Sequence, residues 1–196
     1  MKIGIIGIGA LTLELASRSA QNGYEVLVHN PRGNCLIKES LKKVDTLKMV
    51  SIEEAASAEI ILLFLPMEDI ETVIGKLPDM SGKIILHTGN LIFNPTSDSP
   101  MISNSLSCQL TAAMLPEARI VKLFNPILLE NFDSDCFSKK REKIFFMSGD
   151  SYLKNMVGNF LKKLQFSPVD LFENKQKSLA TTFSVKKANL LNRKSF

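Results

Sequence analysis

A glycine-containing segment near the start of the chain has the pattern of a phosphate-binding loop. It follows a short apolar run and reads Gly7-Ile8-Gly9-Ala10-Leu11-Thr12. Glycines at the first two positions of a G-x-G-x-x-G pattern allow a tight turn and a close approach of the backbone to a pyrophosphate at a helix N-terminus. The third position is Thr12, which we expect to loosen or shift the packing of helix on strand without abolishing binding. A glycine turn that binds nothing is the competing interpretation.

The residues after the second apolar run bear on which dinucleotide would bind. NAD sites place an Asp or Glu there for the ribose hydroxyls, whereas NADP sites remove that acid and supply an Arg for the 2′-phosphate. This segment reads His29-Asn30-Pro31-Arg32-Gly33 and contains no acidic residue. The guanidinium of Arg32 could make two hydrogen bonds to phosphate oxygens. We therefore expect NADP rather than NAD, with a plain surface charge as the alternative for Arg32.

Short apolar runs separated by helical patterns would position these residues. Most runs are apolar on both faces, as strands of a covered parallel sheet are. They span Lys2–Ile6, Glu25–His29, Leu47–Val50, Ile60–Leu65, Lys83–His87, Ile120–Phe124, Ile144–Met147 and Pro168–Leu171. The alternation predicts an α/β fold with a doubly wound, Rossmann-like NAD(P)-binding sheet, mostly parallel, of about six to eight strands.

Helix signals accompany four of the segments between these runs. A helix over Leu11–Gln21 is followed by Gly23 at its expected C-terminus, and Ser51 with Glu54 forms a capping box that opens a short helix through Ala58. Further helices are predicted over Met67–Lys76 and from Asp150 to about Lys163.

The domain organisation follows from this pattern. We expect one Rossmann domain over residues 1–172 and a lysine-rich C-terminal helix or tail over residues 173–196. The stretch Gly89–Ser107 is rich in Asn, Pro, Ser and Thr, and because long irregular loops are usually functional we expect it to form the lip of the cleft.

Composition narrows the function classes. The net charge of +4 is concentrated late in the chain without interleaved aromatic residues, which argues against nucleic acid as a partner. We expect no membrane segment and no secretion signal, and hence a cytoplasmic protein. Three widely spaced cysteines predict neither a disulfide framework nor a metal site. A homodimer is expected because a short chain has little material to close its own cleft.

Six sequence blocks resemble a known family. They are MKIGIIGIGALTLELA, EVLVHNPRG, SIEEAASAEIILLFLP, GKIILHTGN, ARIVKLFN and LKKLQFSPVDL, and together they cover roughly residues 1–171. In order and spacing they are similar to the NADP oxidoreductases that use the deazaflavin coenzyme F420. The resemblance implies that Gly7–Thr12 hold the pyrophosphate and Asn30, Pro31 and Arg32 surround the 2′-phosphate. It also implies that Leu65 and Pro66, with Thr88 and Asn90, flank the nicotinamide.

The resemblance predicts hydride transfer between NADP(H) and a small-molecule acceptor, a deazaflavin or flavin-like ring. Such a reaction needs few side chains, because the cofactors carry the chemistry. The catalytic residues stay unassigned: His87 is the one candidate polar group near the cleft, and a histidine bonded in the core explains it equally well.

Two alternatives stay open. A non-catalytic sensor that binds a dinucleotide is favoured by Thr12 and by departures from the family on the acceptor side, such as Met67 in place of an aromatic residue. An imine reductase like pyrroline-5-carboxylate reductase shares the first block, but it needs a helical domain for which residues 173–196 are too few.

Overall fold

The computed structural model describes residues 1–33, 47–92, 105–125 and 143–171. Their strands form one eight-stranded sheet with the order β3-β2-β1-β4-β5-β6-β7-β8. The strands are β1 (Lys2–Ile6), β2 (Glu25–His29), β3 (Leu47–Met49), β4 (Ile60–Leu63), β5 (Ile84–Ile92), β6 (Arg119–Asn125), β7 (Lys143–Met147) and β8 (Ser167–Asp170). Neighbouring strands are parallel except that β7 runs antiparallel to β6. The predicted doubly wound, mostly parallel sheet is confirmed.

Helices cover both faces of this sheet. They are α1 (Ala10–Gln21), α2 (Ile52–Ala56), α3 (Ile70–Ile74), α4 (Ser105–Met114) and α5 (Ser151–Lys163), with a 3-10 turn over Met67–Asp69 before α3. One face of the sheet packs against α1 and α5, through side chains such as Leu15 and Val157. The other face packs against α2, α3 and α4, through side chains such as Ile52 and Ile70. Strands that are apolar on both faces are thus buried on both faces.

The helix boundaries follow the predicted capping signals. The Ser51 hydroxyl accepts a hydrogen bond from the Glu54 amide at 3.2 Å, although α2 ends at Ala56, two residues before the predicted end. The Asp150 carboxylate accepts from the Tyr152 amide at 2.7 Å and starts α5 as predicted. Gly23 has a φ of 79° just after α1, a conformation that glycine adopts without steric cost.

The segment predicted as a long loop, Gly89–Ser107, lies largely outside the described residues, but both of its ends belong to regular elements. Strand β5 continues to Ile92 instead of ending at His87, and α4 begins at Ser105. Helix α4 was not predicted. Only Leu110 and Met114 of its apolar residues pack on the second face, while Leu106 is exposed, so its helical periodicity is weak. The predicted helix or tail over residues 173–196 lies outside the described residues.

The strands do not all end at the same level. Ile6 of β1 is paired with Leu63 of β4, Leu63 with His87 of β5, and His87 with Lys122 of β6. Strands β1 and β4 end at this level, but β5 continues through Ile92 and pairs there with the end of β6. The carboxyl ends of β2, β1 and β4 therefore lie beside strands β5 and β6, which extend further in the same direction.

Candidate dinucleotide-binding groove

A groove lies over the carboxyl ends of β1, β2 and β4. Its lining comes from the segments that follow these three strands: Gly7, Ile8, Asn30, Pro31, Arg32, Phe64, Leu65, Pro66 and Asp69. In open α/β sheets, ligands bind in a crevice at the carboxyl ends of the strands. The structure thus brings together the glycine loop, the residues after β2, and the Leu65-Pro66 pair, which sequence reasoning chose separately.

Gly7 turns the chain out of β1 under tight constraints. Its φ is 83°, and a Cβ atom placed on it would lie 1.7 Å from the carbonyl oxygen of Phe64. Its amide donates to the carbonyl of His29 at 2.9 Å, which ties the loop to the end of β2. A Cβ on Gly9 would lie 2.9 Å from the Phe64 ring. Only glycine fits Gly7, because both the dihedral angle and the space exclude a side chain.

Thr12 closes the glycine loop on itself. Its side chain is buried, and its hydroxyl accepts a hydrogen bond from the Gly9 amide at 2.8 Å and donates to the Gly9 carbonyl at 3.0 Å. The expectation that Thr12 loosens or shifts the packing of helix on strand stays a prediction. The structure adds a role for the hydroxyl, since it satisfies the amide of Gly9.

The N-terminus of α1 directly follows Gly7 and Ile8, two residues that line the groove. Gly9 is the N-cap and supplies no side-chain hydrogen bond, and the first turn holds no acidic residue. The other long described helix that starts after a strand, α5, is capped by Asp150. The first amides of α1, including those of Ala10 and Leu11, have no carbonyl partner within the helix. This end of α1 therefore has the partial positive charge and the free donors that bind an anion.

Arg32 is engaged by two carboxylates across the groove. Its Nε donates to Oδ2 of Asp69 at 2.6 Å and its Nη2 donates to Oε1 of Glu68 at 2.7 Å. Hydrogen bonds from Arg32 to Asp69 and then Glu68 raise the pKa of the Arg32 guanidinium. The pKa of Glu68 is lowered by its own backbone amide and then by Arg32. Sequence reasoning missed this pairing, because no local pattern relates residues 36 and 37 positions apart.

Of the four residues expected at the nicotinamide end, two line the groove. Leu65 and Pro66 line the groove, and Leu65 is largely buried. Thr88 is buried one residue beyond the level at which β4 ends, and its hydroxyl donates to the Leu63 carbonyl at 3.2 Å. Asn90 lies in the extension of β5. The Thr88 hydroxyl thus fastens β5 to β4.

A buried basic pair lies beside the groove on β5 and β6. His87 and Lys122 are paired in register, and neither side chain has a hydrogen-bond partner among the described residues. Burial, and then the Lys122 charge, lower the pKa of His87 to about 4. Burial also lowers the pKa of Lys122, whose ammonium lies 5.2 Å from the centroid of the Phe124 ring. Sequence reasoning named His87 as a candidate but missed Lys122. A lysine inside an apolar run was the signal that could have revealed it.

The other histidine is placed near β3. Nδ1 of His29 lies 3.2 Å from the Val50 carbonyl oxygen, at the end of β2. His29 directly precedes Asn30, Pro31 and Arg32, the residues expected around the 2′-phosphate.

The fold is that of a Rossmann-type α/β domain. Residues 2–90 match the family described as NADP oxidoreductase, coenzyme F420-dependent. The sequence resemblance to this family is confirmed over these residues. The match covers β1 through most of β5 and includes every residue that lines the groove.

Comparison with individual proteins extends the likeness beyond residue 90. The chain is 24% identical over 173 residues to metalloreductase STEAP3 of Rattus norvegicus, and the match covers 87% of this chain. The chain spans only a third of the length of this curated relative, 33%. Within the described residues, no helix combines the length and apolar character needed to span a membrane.

Solved structures share the fold at lower identity. A candidate F420-dependent NADP reductase from Arthrobacter sp. FB24 superposes with a TM-score of 0.63 at 18% identity, covering 98% of this chain and 95% of that one. An imine reductase from Aspergillus terreus, solved with NADPH4 and dibenz[c,e]azepine, gives 0.60 at 17% identity and covers 96% and 63%. At these identities the likeness concerns the fold.

Proposed function

We propose that the chain is an NADPH-dependent oxidoreductase that transfers a hydride between NADP(H) and a deazaflavin or flavin-like acceptor. The observation that carries the proposal is the N-terminus of α1, which has no N-cap side chain and directly follows Gly7 and Ile8, two residues of a groove that also holds Arg32. A helix end with free amides suits a pyrophosphate, and a guanidinium beyond β2 suits a 2′-phosphate. The family match over residues 2–90 and the NADPH4 in the imine reductase complex support NADP as the cofactor.

The residues of the groove fit such a cofactor. Gly7 and Gly9 let the loop pack closely against Phe64. The amides of Ala10 and Leu11 would face the pyrophosphate, and Arg32 would face the 2′-phosphate. Leu65 and Pro66 would supply an apolar surface toward the nicotinamide. The bound nicotinamide would supply the hydride, so the protein's part is to bind the cofactor, orient it and exclude water.

The cofactor assignment is tested by titrating the protein with NADPH and with NADH and following nicotinamide fluorescence. We expect NADPH to bind more tightly and Arg32→Ala to weaken NADPH binding more than NADH binding. Lys48→Ala is a matched control, because Lys48 is a similarly exposed cation on β3 that pairs with Glu25. Equal binding of both nucleotides, unchanged by Arg32→Ala, would remove the assignment.

The identity of the acceptor is the second part of the proposal. Turnover of NADPH with a deazaflavin, followed at the acceptor's absorbance band, tests it against free flavins and against metal chelates, the last because of the metalloreductase relative. A non-catalytic dinucleotide sensor remains the alternative function, favoured by the closed hydrogen bonding of Thr12 within the loop. Tight NADPH binding without turnover on any acceptor would support the sensor. A cytoplasmic homodimer stays part of the proposal, and sedimentation tests the dimer.

A further inference from the structure

The ion pairs of Arg32 cross the carboxyl end of β1. Arg32 follows β2, whereas Asp69 follows β4, and these are the two neighbours of β1 in the sheet. Gly7 at the end of β1 lines the groove between them. The cation assigned to the 2′-phosphate is therefore bonded to carboxylates from the opposite side of the groove.

The two carboxylates differ in position. The Asp69 side chain is 27% exposed and lines the groove, while that of Glu68 is 67% exposed and is not among the lining residues. Asp69 is therefore the carboxylate that a ligand bound beside Arg32 would meet. Glu68 holds the guanidinium from the outer side.

The charges around Arg32 both attract and repel a phosphate. One guanidinium faces two carboxylates, so the cluster of Arg32, Glu68 and Asp69 has one negative charge in excess. A phosphate monoester carries nearly two negative charges at neutral pH. It would have to share Arg32 with Asp69 or displace it, and the Asp69 carboxylate would remain close by in either case.

The same carboxylate suits the nucleotide that lacks the 2′-phosphate. Ribose hydroxyl groups donate hydrogen bonds to an acidic side chain in NAD sites, where that acid comes from the end of β2. Here β2 ends without an acid, but Asp69 reaches the same groove from the segment after β4. The groove thus contains both a cation for a phosphate and an anion for hydroxyl groups.

We infer, on the basis of the proposed dinucleotide site, that Asp69 is a specificity-determining residue that reduces the preference for NADPH over NADH. It competes with the 2′-phosphate for Arg32 and accepts a hydrogen bond from the ribose of NADH. The site accordingly takes both nucleotides, with a small preference for NADPH that depends on Arg32.

The test is the pair of dissociation constants for NADPH and NADH in Asp69→Asn, measured by fluorescence titration at low salt. Removing one unit charge about 6 Å from a phosphate should tighten NADPH binding by about five- to tenfold. NADH binding should stay within about twofold or weaken, because an amide replaces the acceptor carboxylate. The NADPH gain should shrink at high salt, where charges are screened.

Glu71→Gln is the matched control. Glu71 is an exposed carboxylate on α3, two residues from Asp69, and the described residues include no ion pair between it and Arg32. It should change the ratio of the two constants by less than about twofold. An equal gain for both nucleotides in Asp69→Asn, or the same gain in Glu71→Gln, would show a general charge effect and overturn the inference.

Failure of this inference is distinguishable from failure of the proposed function. If NADPH is preferred, Arg32→Ala abolishes the preference, and Asp69→Asn changes nothing, the cofactor site stands and the role of Asp69 falls. If NADPH is not preferred even in the double variant Glu68→Gln with Asp69→Asn, both fall, because Arg32 is then free of carboxylates and still does not select the phosphate.

Discussion

Gly7 faces the carbonyl oxygen of Phe64 so closely that a Cβ atom on Gly7 would lie 1.7 Å from that oxygen. The contact joins the turn after β1 to the segment after β4, and both line the groove. The glycine is therefore required by the packing of two neighbouring strand ends, whether or not a nucleotide is bound.

The first prediction concerns this contact. Gly7→Ala should destabilise the protein by at least about 2 kcal/mol more than Gly23→Ala, since overpacking adds to the cost of a positive φ. Gly23 is the matched control because its φ is 79° and a Cβ there would meet nothing within 4 Å. Urea denaturation of both variants measures the difference. Equal losses of unfolding free energy would mean that the backbone at Gly7 moves aside freely.

The second prediction concerns Thr12. Thr12→Val keeps the shape of the side chain but leaves the Gly9 amide without its acceptor, which should cost about 1–2 kcal/mol of unfolding free energy. Thr12→Ser retains the hydroxyl and should recover the hydrogen bond, although it loses a buried methyl group. A Thr12→Val protein more stable than Thr12→Ser would contradict the role assigned to the hydroxyl.

The third prediction concerns His87. Because its folded-state pKa lies near 4, below the ordinary value of 6.5, His87 stays neutral in the fold while the unfolded chain takes up a proton. Its contribution to stability is complete above about pH 6.5 and is lost as the pH falls toward 4. Between pH 7 and pH 5 the wild type should lose about 2 kcal/mol through this group.

His87→Leu should remove that part of the pH dependence, as measured by urea denaturation at the two pH values. His29→Gln serves as the control, since His29 is only partly buried and lies beside the Val50 carbonyl. A His87→Leu protein that loses as much stability as the wild type on acidification would contradict the assignment.

The fourth prediction separates the two long helices α1 and α5. Asp150→Ala removes the acceptor of the Tyr152 amide and should cost about 1 kcal/mol, whereas Asp150→Ser should preserve most of the cap. Thermal denaturation measures both variants. NADPH binding should not change in either, because the proposed anion site belongs to α1. Weaker nucleotide binding in Asp150→Ala, in a folded protein, would argue against that division of roles.

Much of the fold could be predicted because its signals are local. The bounds of β1 and β2 follow from continuous apolar runs that end at Gly7 and Asn30. The start of α5 follows from Asp150, whose side chain bonds the first turn. These features depend on neighbours within a few residues, which a single sequence displays directly.

The features that were missed depend on distant partners. The extension of β5 beyond His87 is stabilised by pairing with β6, so Gly89 and Asn90 resemble a turn in the sequence alone. In the sequence alone Asp69 is an ordinary acid at a helix start, and only the sheet order brings it opposite Arg32. Lys122 is hidden in the same way, because its neighbour His87 lies on another strand.

The uneven strand ends have a consequence for access to the groove. Strands β1 and β4 stop at Ile6 and Leu63, but β5 and β6 run on together as far as Ile92 and Asn125. At roughly 3.3 Å per residue, the three residues from Lys122 to Asn125 make a ledge about one nanometre high on one flank. An elongated ligand lying along the groove would be stopped at β5. A second molecule could then meet the inner end of that ligand where the ends of β1 and β4 adjoin the ledge formed by β5 and β6.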